Sequence, residues 1–259
     1  MLSHLFLSVH QGLMDVVVAA GTHMTYVGEP GSIHPDRTLQ HAPIASLAQQ
    51  LAVRVRGKSV VLTCPVTLER SARETVVENL FEHAQVEALY LLSEPIAACY
   101  ATGCEKIRVL DCGHTHATVS FVENGQTTKF IQSKRLGVHG VAGEDPLDTA
   151  ERIAAAHEAW LGSGGKTWRT LLNRLPPEAD RTPILLCGGA FEMPTTIQRS
   201  QEQFNETLSD DVISFAKPSL THYLGASLFG SLDDAEKLLI TRSTYDEEGR
   251  SAVHWRCPI

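Results

Sequence analysis

Long apolar runs are missing from this 259-residue sequence. None reaches the roughly 18–20 residues that span a bilayer, so no membrane-spanning helix and no membrane role are expected. The opening MLSHLFLSVH is apolar but carries no lysine or arginine ahead of its hydrophobic patch. That argues against a secretory leader, and the segment reads as a first buried strand of an intracellular protein. Paired cysteine motifs are missing too. The six cysteines, Cys64, Cys99, Cys104, Cys112, Cys187 and Cys257, form no C-x-x-C pair, and five sit in or beside apolar runs. An even count could form disulfides, but the reduced state, with thiols acting as small hydrophobes, is the preferred reading. His114 and His116 flank Thr115 close to Cys112, yet no second cluster completes a tetrahedral set, so no structural metal is expected. Basic runs are absent: 22 Lys and Arg against 30 Asp and Glu leave a net charge of −8. Phosphate neutralisation supplies most non-specific nucleic-acid affinity, so direct DNA or RNA binding is not expected.

What is present is an ordinary globular composition, 43% hydrophobic and 20% charged, enough to bury a sizeable core. Short β-branched runs alternate with helical spacing, which predicts α/β layering. Strands are expected at 4–10, 15–21, 59–63, 88–92, 106–112, 117–123, 127–132, 183–187 and 212–215. The first two form a hairpin around Gln11 and Gly12. Helices are expected at 45–55, 67–83, 94–101, 147–160, 167–175, 193–204 and 221–232. Residues 22–43, rich in Gly, Pro and His, read as loop, and 241–259 as a charged tail.

Two long stretches, KSVVLTCPVTLERSARETVVENLFEHAQVEALYLLSEPIAACYATG (58–103) and IRVLDCGHTHATVSFVENGQ (107–126), resemble the first half of the actin and sugar-kinase ATPase superfamily. The later segments ILLCGGAFEMP (184–194), HYLGASLFGSL (222–232) and ITRSTYDEEGRSAVHWRCPI (240–259) resemble the end of actins and actin-related proteins. Thr25–Gly28 and Ala142–Gly143–x–Asp145 fit the same pattern. The resemblance implies an actin-like α/β fold of two ribonuclease-H-like subdomains. Residues 1–132 would form the first, with 233–259 packing back on it, and 133–232 a reduced second. The chain passes from Gly21–Met24 directly to Thr25, and from Trp160 through Gly162–Gly165 toward Leu185. Both small insertion subdomains of actins are therefore expected to be missing.

The resemblance also places a nucleotide site on two Gly-rich hairpins with carboxylates that hold Mg²⁺ through water. In actins the first hairpin carries an Asp, a small polar pair and two glycines, with a lysine shortly after. The matching residues here are read as His10–Gln11–Gly12–Leu13–Met14, without the acid or the lysine. The second keeps Asp111 and Gly113 but has His114 and Thr115 in place of an acid and a glycine. Glu94 falls where the family positions the attacking water, and Thr118 where actins have a histidine. Gly143, Gly188 and Gly189 remain on the adenine side and also serve as turn glycines. Glu94 and Asp111 are thus relic positions. ATP hydrolysis is not expected and no cofactor is required, ATP with Mg²⁺ being the alternative.

The functional expectation is a degenerate, non-polymerising actin-related protein that is a structural subunit of a multi-protein assembly, cytoplasmic or cytoskeletal, in a cytoskeletal, ciliary dynein-type or chromatin-type setting. The competing expectation is a nucleotide-binding switch or weak ATPase in which His10, Glu94, Asp111 and His114 line an altered phosphate site.

Overall fold

In the computed structural model the residues described are 14–21, 24–40, 47–113, 116–133, 174–175, 182–192 and 211–257. They fall into two compact units, 1–101 with 222–259, and 102–221. The first is built around β1 (Val16–Ala20), an all-apolar strand buried along its whole length. A strand buried on both faces must lie inside a sheet. Here β1 runs parallel to β4 (Ser59–Cys64) and antiparallel to β2 (Met24–Gly28). Beyond β4 comes parallel β5 (Ala88–Ser93), and beyond β2 antiparallel β3 (Arg37–Gln40). A two-residue strand, β11 (Ile240–Thr241), closes the β5 side, so the order is β3-β2-β1-β4-β5-β11.

The second unit repeats this layout. Its strands β6 (Lys106–Cys112), β7 (Ala117–Glu123) and β8 (Gln126–Ser133) form an antiparallel meander. Beside β6, β9 (Ile184–Cys187) and then β10 (Val212–Ser214) run parallel to it. The order β8-β7-β6-β9-β10 is that of β3-β2-β1-β4-β5. Two copies of a three-strand meander followed by two parallel strands make the actin-like, ribonuclease-H-like α/β fold that the sequence implied.

Residues 22–43 are not simply loop, because they contain β2 and β3. Thr25 and Val27 are fully buried while Met24 and Tyr26 are only half-buried, the alternation of a sheet strand, and the high Gly, Pro and His content hides it. The subdomain boundary expected at 132 lies at 101/102 instead, and residues 222–232 fall in the first unit. The physical reason is strand pairing: β6 bonds to both β7 and β9, so 106–133 belong with 184–187. The expected strand 4–10, most of helix 167–175, and helices 147–160 and 193–204 lie outside the described residues.

The described helices follow their apolar spacing. α1 (Leu47–Val55) buries Leu47, Ala48, Leu51 and Val55. α2 (Arg70–Glu78) continues into a π-type turn, Asn79–His83, that buries Leu80 and Phe81. α3 (Glu94–Thr102) is followed by Gly103 at φ +68°, a left-handed position that glycine adopts readily at a helix end. α4 (Thr221–Gly230) buries Tyr223, Ala226, Ser227 and Phe229. Tyr223 donates its hydroxyl to the His34 carbonyl at 3.1 Å, and Ser227 Oγ donates to Ser32 O at 2.8 Å, which fixes the loop between β2 and β3. The six cysteines are free thiols, and all but Cys104 are buried.

Residues 241–257, a charged tail by composition, belong to the first unit. They form α5 (Arg242–Glu248), a 3₁₀ turn and α6 (Val253–Arg256), with Ala252, Val253 and Cys257 buried. The anchor is polar as well as apolar. His254 Nε2 lies 2.7 Å from Glu74 Oε1, and Arg250 reaches Glu74 at 3.3 Å and Glu78 at 2.7 Å. The hydrogen bond from His254 holds the Glu74 carboxyl below its ordinary pKa, helped by the charges of His254, Arg250 and Arg70 and opposed by partial burial. A carboxylate with a lowered folded pKa stabilises the fold above its unfolded pKa of about 4.3. That contribution is lost as pH falls through the lowered folded value. Acid titration of the melting temperature should therefore fall less steeply below about pH 4.3 in Glu74→Gln than in the parent chain, and parallel curves would remove Glu74 from the account.

Candidate functional site

The two sheets present equivalent hairpins. β1 and β2 turn at 21–24, where the Gly21 N–H donates to Met24 O at 3.0 Å. β6 and β7 turn at 113–116, where the Gly113 N–H donates to His116 O at 3.0 Å. Each follows the innermost strand of its meander, the one flanked by a parallel neighbour. The same hydrogen bond at the same point in both copies makes 21–24 the counterpart of 113–116. A β-carbon at Gly21 would stand 2.6 Å from Met24 O, so the turn requires a residue without one.

This pairing relocates the first hairpin. His10 and Gly12, expected to form it, lie outside the described residues. Met14 is described and sits before β1, at the end where Asp15 N donates to Ser59 O and Ser59 N to Asp15 Oδ2, at the start of β4. Its side chain is buried. The hairpin is at the opposite end of β1, next to Ala20, whose N–H donates to Thr63 Oγ1 at 3.1 Å. The residue two before the turn glycine is Asp111 in the second unit and Ala19, buried, in the first. From Ala19 to Tyr26 this first hairpin contains no carboxylate and no lysine. Sequence reading missed Ala19 and Gly21 because only the strand register identifies them.

In the second unit Asp111 pairs in register with Cys187, next to the turn at Gly188. Gly188 has φ +96°, and a β-carbon there would overlap the Cys112 carbonyl and stand 2.5 Å from Asp111 Oδ1. Its N–H donates to Pro218 O at 3.1 Å. Gly188 is thus demanded by the turn and by the close approach of β6, independently of any ligand. Gly189 begins a short 3₁₀ turn with open space at its α-carbon. Burial, followed by the Asp111 charge, pushes the Cys112 thiol well up. Thr118 pairs with Asp111 across the hairpin and is buried. His114 and Gly143 lie outside the described residues.

Glu94 belongs to the first unit, Asp111 to the second. Glu94 follows Ser93 at the end of β5 and opens α3, where a helix N-terminus favours a negative charge. Burial raises the Cys64 thiol, and the Glu94 charge raises it further. Its position therefore has a structural explanation that needs no water or metal. Among the described residues no helix is long and apolar enough to cross a membrane.

Comparison with known proteins agrees with this architecture. The sequence model of the family described as Actin matches residues 19–141 and 181–258. Actin-related protein 4 of Candida albicans is 31% identical over 77 residues, which cover 30% of this chain and 16% of that protein. The protein of the same name from Kluyveromyces lactis is 36% identical over 72 residues, covering 28% and 14%. In these matches the chain spans less than a fifth of its relatives' length. Actin-like protein 9 of Bos taurus is 23% identical over 322 aligned residues, covering 90% of this chain and 77% of that protein. With the family model matching well over half of its residues, on top of a duplicated sheet of the same design, the chain belongs to the actin family.

Proposed function

We propose that this chain is a structural, non-polymerising subunit or adaptor of a larger protein assembly of cytoskeletal, ciliary dynein-type or chromatin-type character, and that its role does not involve nucleotide hydrolysis. The observation that carries this reading is Ala19, standing where the twin hairpin has Asp111. A Mg²⁺–triphosphate needs carboxylates for the hydrated metal and a cation for the phosphates. The hairpin from Ala19 to Tyr26 has no carboxylate and no lysine or arginine. The residues of this hairpin do not fit the nucleotide that the fold family implies. A reduced core would support the non-polymerising part. The alignment with Actin-like protein 9 is longer than this whole chain, so stretches of that relative have no counterpart here. Loss of the small subdomains would remove the longitudinal contacts that actins use. A cytoplasmic or cytoskeletal setting goes with this proposal.

One observation favours the second reading, a nucleotide-binding switch: Asp111 is retained beside Gly188. A thermal-unfolding scan with and without millimolar Mg-ATP separates the two. Saturation at 100 times Kd would stabilise the fold by about 2.7 kcal/mol, several degrees in Tm. We expect no shift and no pelletable polymer; a shift of several degrees would establish the switch, and a pellet would refute the non-polymerising subunit.

A further inference from the structure

We draw no further inference here: the strongest candidate, the side-chain cluster of Asp111 and Cys187 near the ends of β6 and β9 with His222 at the start of α4, takes its groups from two units and belongs, through Asp111, to the site already described.

Discussion

Gly225→Ala should destabilise the first unit by about 3 kcal/mol, at the upper end of the usual range for overpacking, and lower its melting temperature by roughly 6–12 °C. In a free helix this substitution stabilises by about 1 kcal/mol, because alanine gives up less backbone entropy. Here the sign is decided by space. A β-carbon at Gly225 would overlap the carbonyl oxygen and carbon of Ala97 in α3, both backbone atoms that cannot rotate away. α4 touches α3 backbone to backbone, and the rings around the crossing show the same closeness. Phe229 stacks on Tyr90 at 4.9 Å and meets Tyr100 edge-on at 5.3 Å. Relieving the clash means moving α4, which also carries Tyr223 and Ser227, the residues that fix the loop between β2 and β3. Gly189→Ala is the control, because nothing lies within contact of a β-carbon there; its melting temperature should stay near the parent's. A neutral or stabilising Gly225→Ala would mean that the α3–α4 contact is wrong.

The fold was legible where the chain alternates or runs apolar over a full element. Val16–Ala20, Ser59–Cys64, Ala88–Ser93 and the 106–123 pair read as strands, and Leu47, Leu51 and Val55 mark one helix face. What could not be read was the pairing. The duplication of the five-strand layout leaves no repeat in the sequence, because a sheet constrains hydrophobicity and register and leaves side-chain identity free. The 21–24 turn was therefore hidden. Its strand partner β2 lies in a segment whose glycines, prolines and histidines signal loop, and the apolar start at 4–10 offered a competing strand. That displaced the first hairpin to His10–Met14, although Met14 lies at the far end of β1. Composition made residues 241–257 a charged tail, and only the resemblance placed 233–259 back on the first subdomain. Their charges pair with α2, 170 or so positions away in sequence, and composition carries no trace of a partner that distant.

That C-terminal anchor gives the second large effect. Arg242→Ala should destabilise the first unit by about 1–3 kcal/mol, the range for leaving a buried carbonyl without a donor. The π-type turn at 79–83 ends a helix, and helix ends leave carbonyls without intrahelical partners. Arg242 Nη2 supplies the donor to Phe81 O at 2.7 Å and also approaches Val86 O at 3.3 Å. Its guanidinium lies 5.1 Å from the Phe81 ring centre and 5.9 Å from that of Tyr245, while those two rings stack at 4.4 Å. One side chain thus joins α5 to the end of α2 through hydrogen bonds and cation–π contact together. Arg242→Lys should recover only part of the loss, because an ammonium is a point donor and cannot reproduce the planar fork. Arg242→Met keeps the apolar stem and separates packing from hydrogen bonding. Denaturant unfolding gives the energies. Amide exchange over 240–257 locates them, since loss of the anchor should release β11, α5 and α6 before the rest of the sheet opens. Equal protection in Arg242→Ala and the parent would show that the apolar contacts of Val253 and Cys257 hold the segment without it.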